Sequence, residues 1–227
     1  MHLPLLHNFQ RRAVNNRNKK KKQYGDRSQI FGTRRFDSGY DADRKPGTSE
    51  HPFIFWPISW PGTVGGGSAN AAYLNVEDKY GNATNPDRVG GPMMIATFSS
   101  GSTNFTIVSD DFTVRRLAEA IASSCMFFLS EPFISNSTEN IEAYSGSPLP
   151  ESVVQYYRSS SIALTSDGYI NNATYSAPGA PEAGLPDFPG LQCFNQTIGS
   201  KAPLFVEFPS RTIWTANTEE ERSHYGR

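Results

Sequence analysis

Apolar residues recur at steps of three and four in the middle of the chain, which is the spacing of an amphipathic helix. Its apolar face would be formed by Val114, Leu117, Ala118, Ile121, Cys125 and Phe128. Asp110 or Asp111 can cap the first turn, because a carboxylate accepts hydrogen bonds from the free N–H groups of a helix start. The pattern predicts a helix at about 111–129 with Cys125 on its buried side.

Short β-prone runs lie on both sides of this helix. Residues 93–98 and 104–109 are separated by a turn rich in Ser and Gly, which predicts a hairpin. Residues 150–164 fit a second helix that begins at Pro150, and a strand over 160–165 is the competing prediction. Two closing strands are predicted at 204–208 and 212–214.

Residues 52–62, PFIFWPISWPG, place four aromatic side chains among three prolines. Proline interrupts helices and sheet ladders, so this is an extended or edge segment pressed on the core, with a sugar-stacking platform as the alternative. Loops are predicted over residues 65–67, 78–91, 130–149 and 176–190. Together the patterns predict an α+β fold: a small antiparallel sheet packed on one or two helices, with long Gly/Pro loops.

The chain divides into a basic beginning and an acidic remainder. Residues 1–45 hold twelve Lys or Arg and four Asp, a net charge of +8, while the rest carries −9. We therefore expect a disordered basic tail at 1–50, a single domain at 51–215 and a charged tail at 216–227. The basic tail is either a solvated segment or a contact for nucleic acid, an anionic surface or a nuclear-import signal.

Five of the eight asparagines between Asn82 and Asn195 begin an N-x-Ser/Thr acceptor for N-linked glycans, where chance would give about one or two. The acceptors are Asn82, Asn104, Asn136, Asn172 and Asn195. A glycan is bulky and solvated, so each acceptor is expected in a surface loop or turn. The excess indicates a chain that matures in the secretory pathway.

The two cysteines, Cys125 and Cys193, have no metal-ligand spacing. In a secreted chain this pair indicates one disulfide, and two buried free thiols are the alternative. Residues 1–9 are too short for the apolar region of a signal peptide. Either the chain is cytosolic and its glycan acceptors are accidental, or its true start, with a leader, lies outside the given sequence. No stretch approaches the apolar length that spans a membrane.

Groups for catalysis are sparse. The histidines are His2, His7, His51 and His224, and only His51 lies near the expected domain, so Ser-His-Asp and Cys-His sites are not supported. A carboxylate pair could be drawn from Asp110, Asp111, Glu131, Asp167 and Glu207. Helix capping explains the first two better, and an Asp-Gly turn explains Asp167. We therefore assign no catalytic, metal or cofactor residue.

Five blocks together carry a resemblance: IFGTRRFDSGY (30–40), PFIFWPISW (52–60), GGPMMIATF (90–98), VVQYYRSSSIALTSDGYINNATY (153–175) and LQCFNQTIG (191–199). They resemble a family of uncharacterised glycoproteins from mushroom-type (basidiomycete) fungal genomes. The resemblance implies a secreted or membrane-anchored, Asn-glycosylated extracellular domain with a leader and often an apolar anchor. It implies that Tyr156, Tyr157, Arg158, Asp167, Gly168 and Tyr169 belong to the family's core block, and Cys193 to its second cysteine.

Three functional hypotheses follow. The first is a non-catalytic extracellular or cell-surface glycoprotein domain that has no cofactor. Its ligand is unknown, and a molecule of the cell surface or cell wall is one candidate. The second is a virus-like capsid protein, with about eight strands and a basic arm that binds nucleic acid. The third is a secreted hydrolase that uses carboxylates.

Overall fold

The described part of the chain folds into an antiparallel sheet with helices packed against it. A computed structural model describes residues 27–36, 38–39, 55–60, 74, 77–131, 140–176, 180–185 and 187–204. The strands are β1 (Met93–Ser100), β2 (Thr103–Asp110), β3 (Ile141–Ala143), β4 (Val153–Tyr157) and β5 (Ile162–Ser166). The α-helices are α1 (Glu77–Tyr80), α2 (Asp111–Ser124) and α3 (Leu191–Lys201). The predicted α+β class is confirmed.

The predicted hairpin is present as β1 and β2. Their register runs from Met93 opposite Asp110 to Ser100 opposite Thr103. The two-residue turn holds Gly101 at φ 62°, a left-handed conformation that glycine adopts without strain. The hairpin therefore delivers the chain directly into α2, whose first residue follows the last residue of β2.

The predicted second helix at 150–164 is wrong, and the competing strand is right. A short 3₁₀ turn at Pro150–Ser152 leads into β4, which pairs with β5 in a second hairpin. The sheet order is β3-β1-β2-β5-β4, so β2 and β5 lie inside it. All five residues of β5 are buried, because both faces of the sheet are covered. Such a continuously buried strand, Ile-Ala-Leu-Thr-Ser, has no two-residue alternation of apolar and polar residues to distinguish it from a helix.

Helices α2 and α3 cover one face of the sheet. The four predicted apolar positions inside α2 (Val114, Leu117, Ala118 and Ile121) are fully buried there, as is Cys125 just beyond it. Phe194 and Ile198 of α3 join the same core. The prediction overran the end of α2: the helix stops at Ser124, and Phe128 is 45% exposed.

An extended aromatic segment covers the opposite face, as the prolines around it predict. Residues 55–60 are all buried, and they form neither helix nor strand. Trp60 packs edge-on against Tyr144 and Tyr156 at centroid distances of 5.9 Å and 6.5 Å. The sheet is therefore a middle layer, with helices on one side and aromatic side chains on the other.

Three elements were not predicted: β3, α3 and the short helix α1, whose last three residues lie in the loop expected at 78–91. Strand β3 lies within the loop expected at 130–149, where it pairs with β1. Helix α3 follows Gly190, whose φ of 83° places it in the left-handed region just before the helix. The described parts of the loops predicted at 78–91 and 176–190 are irregular, apart from the end of α1.

Residues 27–39, assigned to the tail from sequence, are part of the domain where they are described. Phe31 forms a bridge with Tyr157 at the outer edge of β4. Backbone hydrogen bonds join Gly32 N to Tyr156 O at 2.9 Å and Tyr156 N to Thr33 O at 2.8 Å. Two arginines of this segment, Arg34 and Arg35, both pair with Glu182. The domain therefore begins by residue 27 rather than at 51.

The remaining predictions at the ends of the chain lie outside the described residues. These are the tail segments 1–26 and 40–50, the loop at 65–67, the strands at 205–208 and 212–214, and the tail at 216–227. Leu204 is described and belongs to no strand. Among the described residues, none of the helices has the length and apolar character that crossing a bilayer requires.

Replacing Gly39 by alanine should destabilise the fold by clearly more than the same change at Gly101. Both glycines have positive φ, 99° and 62°, so both changes carry the left-handed penalty of about 1–2 kcal/mol. At Gly39 the added Cβ would also meet Arg158 N and Ile30 O at 2.7 Å, whereas at Gly101 nothing lies within 4 Å. Urea denaturation of both variants tests this, and equal losses would show that residues 27–39 do not pack on the domain.

Candidate functional site

The most unusual feature of the domain is a buried charge cluster made of Arg158, Asp110, Thr113 and Ser161. Arg158 is fully buried and its side chain forms an ion pair with Asp110 at 3.0 Å. The same guanidinium donates to Ser161 Oγ at 2.8 Å, to Thr113 Oγ1 at 3.1 Å and to Pro203 O at 2.8 Å. A buried charge is tolerated when it is paired and hydrogen-bonded in this way.

Asp110 links this cluster to helix α2. Its Oδ1 accepts from Thr113 N at 2.9 Å, which makes it the N-cap that the sequence predicted as one of two choices. Its Oδ2 accepts from Thr113 Oγ1 at 2.8 Å and pairs with Arg158. The carboxylate therefore serves the helix start and the ion pair together, and it is itself buried.

The turn that carries Arg158 is strained. Arg158, Ser159 and Ser160 all have positive φ, at 52°, 52° and 57°, although none is glycine. Such residues cost on the order of 1–3 kcal/mol each and persist only where the surroundings hold them. Arg158 N donates to Ile30 O at 2.9 Å, Ser160 N to Ser38 O at 3.1 Å, and Ile58 N to Ser160 O at 2.9 Å. The turn is thus held in place by the segment that contains Ile30 and Ser38 and by the aromatic segment at 55–60.

A second buried arginine lies against the aromatic segment. Arg88 is 5% exposed, and its Nη2 donates to Pro57 O at 2.6 Å. Among the described residues, its Nε and Nη1 are buried without a hydrogen-bond partner. Burial lowers the pKa of Arg88 to about 10, against the opposing charge of Asp110. The guanidinium therefore stays charged at neutral pH but is poorly compensated.

Replacing Arg88 by methionine should cost about 1 kcal/mol or less, far below the same change at Arg158. The substitution loses the hydrogen bonds from Nη2 to backbone carbonyls, but it also removes a cation two of whose buried nitrogens, Nε and Nη1, lack partners. Chemical denaturation of the two single variants measures the difference. A loss at Arg88 as large as that at Arg158 would mean that its guanidinium has a partner of equal strength.

The predicted disulfide Cys125–Cys193 is present. Its Cα atoms are 5.9 Å apart, and it joins the residue that ends α2 to the first turn of α3. Thr197 Oγ1 lies 3.4 Å from Cys125 Sγ, so the hydroxyl donates to a sulfur that can only accept. The crosslink fastens together the two helices that cover one face of the sheet.

Four of the five glycan acceptors are described, and Asn136 lies outside the described residues. Asn82 and Asn172 are exposed, in a turn and a 3₁₀ turn respectively. The expectation that every acceptor lies in a loop or turn is wrong for Asn104, which is in β2, and Asn195, which is in α3. Both of these are only partly exposed.

The candidate carboxylates are kept apart by separate structural roles. Asp110 is in the buried charge cluster, Asp111 pairs with Arg115 on the surface of α2, and Asp167 accepts from Asn104 Nδ2 at 3.0 Å. Glu207 and all four histidines lie outside the described residues. Within the part of the chain that is described, no group of three or more His, Cys, Asp or Glu could hold a metal ion.

Residues 156–161, YYRSSS, lie in and around the buried charge cluster, and the sequence analysis did not predict that they are buried. Tyr157 and Arg158 are fully buried, and burial raises the pKa of the Tyr157 hydroxyl well above its usual range. The available signal was the position of a lone arginine between two apolar strands, which suits an internal ion pair as well as a surface loop.

Comparison of the chain with family models, curated proteins and solved structures found no match.

Proposed function

We propose that this chain is a non-catalytic extracellular or cell-surface glycoprotein domain. The observation that carries the proposal is the disulfide between Cys125 and Cys193, which uses both cysteines of the chain. Disulfides persist in secreted and cell-surface proteins and are rare where thiols are kept reduced. Two exposed acceptors, Asn82 and Asn172, lie on the surface of the same domain, as a glycoprotein requires.

The non-catalytic part of the proposal is supported by what the polar side chains do. Backbone strain and buried charge often mark an active site. Here the strained turn at 158–160 and the Arg158–Asp110 pair stabilise the fold. Asp110 is occupied by Arg158 and by the start of α2, and Arg158 donates to four different groups.

The alternatives receive less support. The capsid hypothesis expected about eight strands, whereas the described residues form a five-stranded sheet that packs on helices. The hydrolase hypothesis needs two carboxylates that converge on one cleft. Asp110 and Asp167 instead lie at opposite ends of the strand pair β2–β5: Asp110 at the end of β2, Asp167 hydrogen-bonded to Asn104 near its start. The resemblance to fungal glycoproteins stays a prediction.

Expression in a eukaryotic secretory host behind a supplied leader tests the proposal. We expect export of a chain whose mass falls on glycosidase treatment and rises by about two daltons on reduction, because a disulfide takes up two hydrogens. The same chain expressed without the supplied leader and recovered from the reducing cytosol is the matched control. Retention of the leader-bearing chain, or export with both thiols free, would refute the proposal.

A further inference from the structure

We propose that the glycans are carried by Asn82 and Asn172, and that Asn104 and Asn195 stay unmodified in the exported protein. The inference rests on the proposed function, since it assumes passage through the secretory pathway. It goes further by dividing four equivalent sequence motifs into two classes. The classes differ in whether the asparagine side-chain amide is exposed and available or is held by contacts to other parts of the domain. The four motifs cannot be separated from the sequence alone, because each satisfies N-x-Thr.

Asn82 has a free amide nitrogen in an exposed turn. Its Oδ1 accepts from Thr84 N at 3.1 Å and from Thr84 Oγ1 at 2.9 Å, so asparagine and threonine of the motif form one local turn. Both residues are exposed. No hydrogen bond among the described residues uses Nδ2, the atom that would carry the sugar. A glycan here would extend into solvent without disturbing a contact.

Asn172 offers the same freedom at the start of a 3₁₀ turn. The preceding residue, Asn171, caps that turn by accepting from Ala173 N at 3.3 Å, so Asn172 is not needed as the cap. Asn172 is exposed, and the described hydrogen bond at this residue uses its backbone carbonyl, which accepts from Ser176 Oγ. Its side-chain amide is therefore available for a sugar.

Asn104 is engaged through both atoms of its amide. Its Nδ2 donates to Asp167 Oδ2 at 3.0 Å, and its Oδ1 accepts from Ser99 Oγ at 2.8 Å. These contacts join the start of β2 to β1 and to the turn after β5. A sugar on Nδ2 would replace one of its two hydrogens and would compete with Asp167 for the same space.

Asn195 is held from inside the domain. Its Oδ1 accepts from the hydroxyl of Tyr157 at 2.7 Å, and Tyr157 is fully buried. A glycan would have to begin beside a packed helix, and turning the amide outwards would leave a buried hydroxyl without its acceptor, at a cost of about 1–3 kcal/mol.

The order of glycan transfer and folding explains why the fold can determine which glycosylated molecules are exported. A sugar C1–Nδ2 bond forms while the bond from C1 to the lipid-linked pyrophosphate donor breaks, and Nδ2 loses one proton. Because Thr106, Thr174 and Thr197 are buried in the fold, transfer at their motifs has to precede folding. Chains modified at Asn104 or Asn195 would then fold poorly and be under-represented among exported molecules, whereas those modified at Asn82 or Asn172 would fold normally.

Site mapping on exported protein tests this division. The chain, with Asn136→Gln as a common background, is treated with a glycosidase in ¹⁸O-water, which converts each glycosylated asparagine into a labelled aspartate. We expect the label at Asn82 and Asn172 and none at Asn104 or Asn195. Asn82→Gln and Asn172→Gln should each remove one glycan from the intact mass, while Asn104→Gln and Asn195→Gln should remove none.

Two further variants separate glycosylation from other effects of substitution. Thr84→Ala destroys the motif without altering Asn82 and should remove the same glycan, whereas Thr84→Ser keeps the motif and should retain it. Label at Asn104 or Asn195, or its absence at Asn82 or Asn172, in an exported and disulfide-bonded chain would overturn this inference alone. Failure of export, or free thiols, would instead refute the proposed function.

Discussion

Replacing Arg158 by methionine is expected to lower the free energy of unfolding by about 3–5 kcal/mol. Methionine is similar in length and fills much of the same space, so the loss comes from polar contacts rather than from a cavity. The change removes the ion pair to Asp110 and the hydrogen bonds to Ser161 and Pro203 O. It also leaves the carboxylate of Asp110 buried without its cation.

The strain of the turn gives the substitution a structural consequence as well. The three left-handed residues that begin at Arg158 are held partly by its side chain, which fixes the turn to Asp110 and Pro203. Once that side chain is gone, the turn can relax, and the bond from Ser160 N to Ser38 O can be lost with it. The N-terminal segment should therefore loosen, which hydrogen exchange of Gly32 and Ser160 would detect.

The neighbouring aspartate provides a matched control. Asp111 pairs with Arg115 at 2.8 Å, but the arginine side chain is 56% exposed, compared with 0% for Arg158. An exposed pair contributes about 0–1 kcal/mol, so Arg115→Met should change stability little. Urea titration at low temperature, with far-ultraviolet circular dichroism as the signal, measures both. Similar losses for the two variants would show that Arg158 is not buried in an ion pair.

A double variant measures the pair itself. Asp110→Asn keeps an N-cap side chain but removes the charge, so it should be strongly destabilising while Arg158 remains. Adding Arg158→Met should then cost much less than it does in the wild-type background, because the uncompensated charge has gone. Additive losses would mean that the two side chains do not interact.

Removing the disulfide is expected to lower stability by about 4 kcal/mol, since the crosslink spans 68 positions of the chain. Cys125→Ala together with Cys193→Ala removes it without leaving a reactive thiol. The secondary structure should survive at low temperature, because α2 retains its cap and its apolar face. The α2–α3 contact should weaken most, since it lies on the face that the crosslink fastens.

The control for this variant is the reduced wild-type protein. Reductant should move its unfolding midpoint close to that of the double alanine variant, and it should leave the midpoint of that variant unchanged. Since small domains are stable by about 5–15 kcal/mol, a loss of this size leaves a fold that tolerates little heating. A midpoint of wild-type protein that does not respond to complete reduction would contradict the assigned role of the disulfide.

Elements whose signals are local in the sequence could be predicted from it. The helix α2 has a regular three- and four-residue apolar spacing, and the β1–β2 hairpin has a Gly-containing turn between β-prone runs. The N-cap of α2 at Asp110 could also be predicted, because an aspartate side chain accepts hydrogen bonds from the free N–H groups of a helix start. The disulfide followed from the cysteine count once secretion was assumed, because there was only one way to pair two residues.

Features that depend on distant parts of the chain could not be predicted. Strand β5 is buried on both faces, which erases the alternation that distinguishes a strand. Arg158 pairs with Asp110, 48 residues away, and donates to Pro203 O, 45 residues away, so the residues near it in the sequence do not identify its partners. The edge of β4 is closed by Phe31, far away in a segment that looks like a charged tail.

The most direct test of the central claim is the state of the two cysteines in protein taken from its own cells. Free thiols are blocked at lysis, and the peptides that contain Cys125 and Cys193 are then analysed by mass spectrometry without reduction. We predict a single crosslinked peptide pair in material that also carries N-linked glycans. Two blocked, unlinked cysteines in an unglycosylated chain would contradict the account of an extracellular glycoprotein domain.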